Sequence, residues 1–600
     1  MRFAELVAAY GRLEATSKRL EMRSILIELL KALPREDLPT AVYLSQGALR
    51  PEYEGVELGV ADSLARRAVA TVTGAKPSEI AESVRTTGDL GTTIQQLLGR
   101  RASLQTGPAL ELEHVYQGLE RIARAAGEGS QEVKVATLVE LLRRASADEA
   151  KFLVRFVLGT LRLGVREMTI LDALAFAFAD GSKEARARVE GAFNLSSDLG
   201  MVARSLADGG LDGVSAIRVE VGRPIRPMLA ERARDLPELL KRLEGRAAVE
   251  YKYDGLRIQA HVPAKGAVTL FSRRLENISA QFPELLAELP KAVRHRPAIL
   301  EGECVPIDPE TEEIRPFQEV SRRRGRKHDL DKVQSEIPVS LFLFDMLLNG
   351  GTAILDRPFP ERRKALVDGV RPTERVRVAG QTIVDSPEEA QHEFDAAIAA
   401  GCEGIMGKSV ADGSLYRAGA RGFWWIKYKR DYTQALADTI DGVVVGAFFG
   451  RGRRAGGYGA LLLAAYDPKE DRYESFCKVG GGFDDATVAL LPEKLRPLEV
   501  AEKPKDVVTE LEPDRWVRPK LVLEVTGAEL TLSPIHRAAL GRIRAGAGLA
   551  LRFPRFTGRW RDDKGPTEAT TADELLRLYR TQVRQASSDD SGEESASSPS

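Results

Sequence analysis

Cysteine is scarce in this chain of 600 residues: Cys304, Cys402 and Cys477 are far apart and odd in number. That excludes a disulfide framework and a four-thiolate zinc site, and it points to a reducing compartment. No uncharged run reaches membrane-spanning length, which excludes an integral membrane protein of the helical kind. The N-terminus, "MRFAELVAAYGRLEAT", carries charge where a signal peptide needs an apolar core, so a cytoplasmic protein without a membrane partner is expected. Net charge is nearly absent as well, at -1, but the last stretch, "QASSDDSGEESASSPS", holds four acids and no base. The remainder is slightly basic, and because the placement of Lys and Arg governs phosphate binding, the neutral total excludes nothing. A fixed-period repeat is missing too, which excludes a solenoid.

What is present is enough apolar matter for several cores: 43% hydrophobic and 29% charged residues. At roughly 100 to 200 residues per domain, about three to five domains are expected. Up to Ala216 the apolar residues recur at helical spacing, as in "EAKFLVRFVLGTLRLGVREMTILDALAFAFA" from Glu149 to Ala179, and residues 1–216 read as an all-α domain. "ALPREDLP", "RPEYEG" and "TTGDLGTT" read as turns between its helices. Past "VEVGRPIRPMLAE", where Pro224 and Pro227 disfavour helix, strand patterns follow one another, interrupted by the helical "DSPEEAQHEFDAAIAAG". Residues 217–436 are therefore expected to form an α/β domain on largely antiparallel sheet. Short strands with glycine turns fill residues 437–584, as in a small β-barrel, and residues 585–600 read as a disordered acidic, serine-rich tail.

One stretch stands out. "VEYKYDGLRIQAH", Val249 to His261, puts Lys252 and Asp254 inside what reads as a buried strand and its turn. Long cations are rarely buried without a partner, so Lys252 either snorkels to the surface or is held for chemistry. The pattern KxDG recurs by chance roughly once in 8,000 starts, so alone it decides nothing. Its company decides: "FSRRLENIS" (271–279), "LEGECV" (300–305), "LFLFDMLLNGG" (341–351), "EGIMGKS" (403–409), "RGFWWIKYKRDY" (421–432) and "LRFPRFTGRWRDDK" (551–564) follow in order. Taken singly, the Arg and Glu residues would be exposed ion-pair formers and Phe344 plain core. The basic clusters "SRRRGRK" (321–327) and "GRGRR" (450–454) suit solvated loops and phosphate contacts equally.

In that order and spacing the segments resemble the motif series of the covalent nucleotidyltransferases, and most closely the ATP-dependent DNA ligases of the archaeal and eukaryotic replicative type. The resemblance runs from about Ala41 to Arg577, taking in "AVYLSQGALRPEYEGVELGV", "TTGDLG", "RPMLA", "CKVGGGF", "LTLSPIH" and "RFPRF". It implies a multi-domain fold: a helical DNA-binding domain, an adenylation domain and an OB-fold barrel. It also implies that Lys252 is the nucleophile that takes AMP from ATP, and that Glu250 contacts the adenine edge. Arg257 and Arg273 would hold ribose and phosphate oxygens, and Phe344 would stack on the base. Glu303 would contact ribose and, with Glu403, ligate Mg²⁺ or Mn²⁺. Arg421, Lys427 and Lys429 would clamp the triphosphate. In the last motif Lys564 would meet pyrophosphate, and the RxDK register favours Arg561 over Arg559 as its companion.

The implied activity is sealing of nicks in duplex DNA, in replication, repair and recombination, by a monomer. A sliding clamp enters as a partner by analogy only. RNA ligases and capping guanylyltransferases share KxDG and a barrel but ordinarily lack the large helical domain. An NAD-dependent ligase needs a four-cysteine zinc finger that three scattered cysteines cannot build. An inactive DNA-end clamp would have no use for Lys252, Asp254, Glu303, Lys427 and Lys429.

Overall fold

Two compact units, Met1–Tyr428 and Lys429–Ser600, make up the chain in a computed structural model. It describes residues 1–100, 108–307, Ile314, Arg323, 337–400, 402–429, 439–450, 457–527, 529–533, 535–552 and 554–591. The expected domain boundary at 436/437, residues 451–454 of the second basic cluster and residues 592–600 of the tail fall outside these. Of the cluster at 321–327 only Arg323 is described, and it is no solvated loop residue: it is buried, donating to Glu284 and to the Ile337 carbonyl.

From Phe3 to Ser215 the described regular elements are helices. Their apolar stripes meet in one core that includes Leu6, Leu26, Ile94, Leu153, Leu174 and Val202. The run Glu149–Ala179 is not one helix. It divides into Ala147–Val157 and Glu167–Phe178, and the loop between them holds Gly159, Arg162 and Gly164 at positive φ, a conformation that ends a helix. "TTGDLG" is more than a turn. Gly88, at φ 69°, closes the helix Pro77–Thr87, and the Asp89 carboxylate caps Leu90–Gly99 by accepting from Thr92 N at 2.9 Å. The same carboxylate accepts from Arg155 Nε at 2.8 Å, and a Cβ on Gly91 would stand 2.7 Å from Arg155 Cγ. The motif is a joint at which two helices approach closely.

The proline-bearing stretch after Ser215 is seated by side chains of the sheets, because it has no ladder of its own. Gly222 N donates to His261 Nδ1 (2.9 Å), Ile225 N to Gln259 Oε1 (2.8 Å) and Met228 N to the Tyr416 hydroxyl (2.9 Å), while the Met228 carbonyl accepts from Arg257 Nη1 (2.8 Å).

Beyond it lie two sheets. The strands in chain order are β1 (Leu229–Arg232), β2 (Ala247–Lys252), β3 (Leu256–Val262), β4 (Thr269–Ser272), β5 (Ala298–Pro306), β6 (Val339–Asn349), β7 (Thr352–Ala353), β8 (Val376–Val378), β9 (Thr382–Val384), β10 (Gly404–Ser409) and β11 (Arg421–Lys429). One sheet has the order β1-β11-β10-β2-β9; the other runs β4-β3-β5-β6-β7, with β8 added beside β6. Most pairs are antiparallel, as expected, with β1–β11 and β6–β8 parallel. The helix Pro387–Ala399 falls where its pattern placed it. Leu236–Arg242, Pro283–Ala292 and Phe359–Gly369 were not legible, being short and begun by or rich in proline.

The second unit is sheet-rich, a half-barrel only loosely like the small OB-fold barrel expected. Ile440–Phe449 is its hub, pairing with Tyr458–Asp467, Arg515–Val517 and Val522–Thr526. Its last helix, Ala572–Ser591, continues past Gln585 into the stretch expected to be tail. Among the described residues no helix is long and apolar enough to cross a membrane.

Candidate active site

Strand β2 reads AAVEYK and pairs with β10 so that Gly404 stands opposite Lys252, Met406 opposite Glu250 and Lys408 opposite Ala248. With period-two alternation, Glu250, Lys252, Met406 and Lys408 share one face. After Lys252 the chain turns through Gly255, where a Cβ would lie 2.4 Å from the Cys304 carbonyl oxygen. Only glycine permits that approach, which brings the KxDG turn down onto β5.

The facing sheet supplies the other half. Arg257 on β3 is directly across from Glu303 on β5. Between β5 and β6 the register slips, Glu301 pairing with Asp345 but Gly302 with Leu343, so Phe344 is the extra residue of a bulge. Its carbonyl accepts from Lys408 Nζ at 3.1 Å, and its ring meets Trp425 of β11 edge-on at 5.9 Å. Arg257 lies 5.4 Å from the Phe344 centroid and 5.5 Å from that of Trp425. These contacts join the two sheets around one cleft.

Charge is concentrated there. The Lys252 ammonium donates to Glu403, both side chains about one-fifth exposed. Burial pushes the Glu303 carboxyl up to about 7; Lys252 and Arg257 oppose the rise, while Glu403 and Asp254 add to it. Glu250 is buried, with Lys408 Nζ 2.6 Å from Oε2 and Gln381 Nε2 donating to Oε1 at 3.0 Å. Arg257 donates through Nη2 to Glu301 Oε2 at 2.7 Å, and the Tyr416 hydroxyl donates to the same oxygen at 2.9 Å. The guanidinium is thus anchored from behind.

Lys252, Glu250, Arg257, Glu303, Phe344 and Glu403 are brought together in this cleft. Lys427 and Lys429 alternate with buried residues on β11 and share the face of Trp425. Arg273, in the turn after β4, and Arg421, paired with Leu229 at the start of β11, have exposed side chains. Arg561 and Lys564 belong to the second unit. There Arg561 Nη1 donates to both Asp441 oxygens (2.9 and 2.7 Å) and Lys564 Nζ to one of them (2.6 Å). Arg561 also grips Asp563, whose carboxyl it holds far below the usual carboxylate range. Arg559, by contrast, is exposed, its nearest acid Glu524 at 3.8 Å.

Sequence reasoning passed over Glu301, Gln381, Lys408 and Trp425. For Lys408 a signal existed: a lysine inside the apolar "EGIMGKS" is the same anomaly that singled out Lys252.

An amine, acids and cations collected between two facing sheets are a set of groups able to handle a nucleoside phosphate. The family model "ATP dependent DNA ligase domain" matches residues 227–429, "DNA ligase N terminus" residues 2–175 and "ATP dependent DNA ligase C terminal region" residues 454–564. "DNA ligase 2" of Thermofilum pendens is 47% identical over 97% of this chain and 98% of its own, and "Probable DNA ligase" of Aquifex aeolicus is 46% identical over 97% and 99%. The solved structure titled "Pmar-Lig_Pre." aligns with 93% of this chain and 99% of its own at a TM-score of 0.53 and 16% identity, a likeness of fold. The chain belongs to the ATP-dependent DNA ligase family. It is an enzyme of that activity, and the match across the helical N-terminal region removes the RNA ligase and capping-enzyme alternatives.

Proposed function

We propose that Lys252 carries the nucleotidyl group through the three steps of nick sealing. Its amine attacks the α-phosphorus of ATP; an N–P bond forms and the bond from that phosphorus to diphosphate oxygen breaks. AMP then passes to the 5′-phosphate at a nick in duplex DNA, and the adjacent 3′-hydroxyl displaces it to close the strand. Before the attack the ammonium must lose a proton, and Glu403 is the acceptor already touching it. The observation carrying this reading is the Lys252–Glu403 pair set between the two sheets, with Glu303, Arg257 and Phe344 around it.

In this reading Glu250 takes the adenine edge, Phe344 stacks on the ring, and Arg257 and Arg273 hold sugar and phosphate oxygens. Arg421, Lys427 and Lys429 clamp the triphosphate, and Arg561 and Lys564 of the last motif are assigned to pyrophosphate. Glu303 and Glu403 would hold Mg²⁺ or Mn²⁺, which would neutralise phosphate oxygens. The upward shift of the Glu303 carboxyl, to which Glu403 contributes, supports that fit, since a cation there would relieve it. Residues 1–216 would grip DNA chiefly through its phosphates, residues 217–436 would adenylate, and 437–584 would act as an OB-fold. The enzyme would work as a monomer in the cytoplasm, in replication, repair and recombination, a sliding clamp remaining an analogy.

Incubation with α-labelled ATP tests the core of this: label should remain on the denatured protein and vanish in Lys252→Ala. Label surviving in that variant would end the nucleophile assignment. Phe344→Ala should weaken ATP binding by about tenfold, the worth of one lost stacking contact.

A further inference from the structure

Lys408 is a wholly buried lysine for which nick sealing has no evident use. It rises from β10 with 1% of its surface exposed. Its Nζ lies 2.6 Å from Glu250 Oε2 and 3.1 Å from the Phe344 carbonyl oxygen. The rings of Phe344, Phe359 and Trp425 surround it, their centroids 4.8, 4.7 and 4.7 Å away. An ammonium taken out of water is costly unless other groups replace its hydration, and here two oxygens and three aromatic faces do so. Burial lowers the Lys408 pKa, with Glu250 and Asp345 opposing that fall.

Two features follow from this placement. Gln381 Nε2 donates to Glu250 Oε1 at 3.0 Å, so both carboxylate oxygens carry a donor and Glu250 can only accept further bonds. The bulge that frees the Phe344 carbonyl lets the same ammonium hold it. One cation thereby fixes two side chains that stand on facing sheets: the acid read as meeting the base edge and the ring read as stacking on the base.

We propose that Lys408, assisted by Gln381, is a positioning residue for base selection, locking Glu250 as a fixed acceptor at a set distance from Phe344. This rests on the reading that Glu250 and Phe344 hold the base. A purine with a 6-amino group offers N–H to that acceptor. A 6-oxo purine offers a carbonyl oxygen, which faces the carboxylate acceptor to acceptor. Released from Lys408, and held among the described residues only by Gln381 and by Arg363 Nη1 3.7 Å from Oε1, Glu250 can turn away from the base edge, so the preference weakens.

The test uses the full chain and covalent labelling with ATP and with inosine triphosphate, KM and kcat being measured separately for each. In Lys408→Met, which fills the aromatic box with a chain of similar length, KM for ATP should rise about tenfold while kcat stays within about threefold. The preference for ATP in kcat/KM should fall by about tenfold, and Lys408→Arg should restore part of it, since a guanidinium can bond the carboxylate again. Mere structural damage would lower labelling with both nucleotides alike. An unchanged preference in folded Lys408→Met overturns the proposal.

Should Lys408→Met fail to fold, Gln381→Leu, at a half-buried loop position, should shift the preference the same way by about threefold. No shift there overturns the proposal equally. Glu250→Gln separates the two layers. If it leaves the preference intact, the assignment of Glu250 to the base fails; if it moves the preference and Lys408→Met does not, only the role of Lys408 fails.

Discussion

Lys252 and Glu403 meet twice: the Glu403 N–H donates to the Lys252 carbonyl at 2.9 Å, and the Lys252 ammonium donates to the Glu403 carboxylate. The backbone bond between the strand segments fixes where the side-chain pair forms. Glu403→Gln keeps the shape and removes the charge, so lysyl-AMP formation should slow by about 10²-fold, as when one preorganised electrostatic partner is lost. Single-turnover labelling measures this. A rate within twofold of the parent would mean that the pair only packs.

Chelation should separate function from fold. Among the described residues no group of three or more His, Cys, Asp or Glu side chains could hold a metal ion, and the divalent ion proposed at Glu303 and Glu403 is expected to act together with bound ATP. EDTA is expected to abolish labelling and leave Tm within about 1 °C. At about 2–4 °C per kcal/mol for a domain of this size, a drop of about 5 °C or more would reveal a structural ion.

In the helical region Asp89 and Arg155 form a pair with side chains only 5% and 4% exposed, at 2.7 Å. Breaking one side of a buried pair costs about 3–5 kcal/mol when the other charge is left alone; here Glu14, 2.7 Å from Arg155 Nη1, still pairs with the guanidinium, which sets that figure as an upper bound. Asp89→Ala should lower the opening free energy of amides in Leu90–Gly99 by about 2–3 kcal/mol, through the lost cap and the lost half of the pair, read by hydrogen exchange. Adding Arg155→Leu should cost less than the two single changes together. Additive losses would show that the two side chains act independently.

Acid stability should report on His261. Gly222 N–H donates to its Nδ1, so the ring is neutral with Nε2–H donating to Gln259, and burial holds its pKa at about 3, against an ordinary value of 6.5. The stabilisation by the neutral ring is complete above pH 6.5 and is lost as pH falls from 6.5 towards 3. At pH 5 the loss amounts to about 2 kcal/mol. Urea midpoints for His261→Gln should fall less between pH 8 and pH 5 than those of the parent; equal slopes would locate the acid sensitivity elsewhere.

Arg559 and Arg561 should divide by step. Arg561→Ala and Lys564→Ala are expected to cut lysyl-AMP formation by about tenfold or more and to spare sealing of a pre-adenylated nick, which needs no diphosphate contact. Arg559→Ala should leave labelling intact, weaken DNA binding and make it less salt-dependent, the slope of log affinity against log salt falling by about 1. The reverse outcome would exchange their roles.

Much of this molecule was readable as pattern. Helical period marked the first 216 residues as helical, because a surface helix must repeat its apolar face every 3.6 residues. Prolines at 224 and 227 marked the change to sheets, since neither can supply a ladder N–H. The spaced motifs named Lys252, Glu250, Arg257, Glu303, Phe344 and Glu403, and the fold brings those six to one cleft. Short helices such as Leu236–Arg242 escaped notice because seven residues carry too little periodicity to separate from a strand end. Gly159 and Gly164 were passed over as helix enders because apolar spacing continues on either side of them.

By itself, then, the amino-acid order determined the family and singled out Lys252 and the charged residue types that surround it, because those depend on local spacing along strands. What only the tertiary structure decided is which charges meet. Lys408 lies 158 residues from Glu250 in the chain, and Arg561 lies 120 from Asp441. No local pattern encodes either encounter. Strand order, a bulge that turns out one carbonyl and a glycine that lets a turn close set those partners, and each is fixed only when the sheets pack.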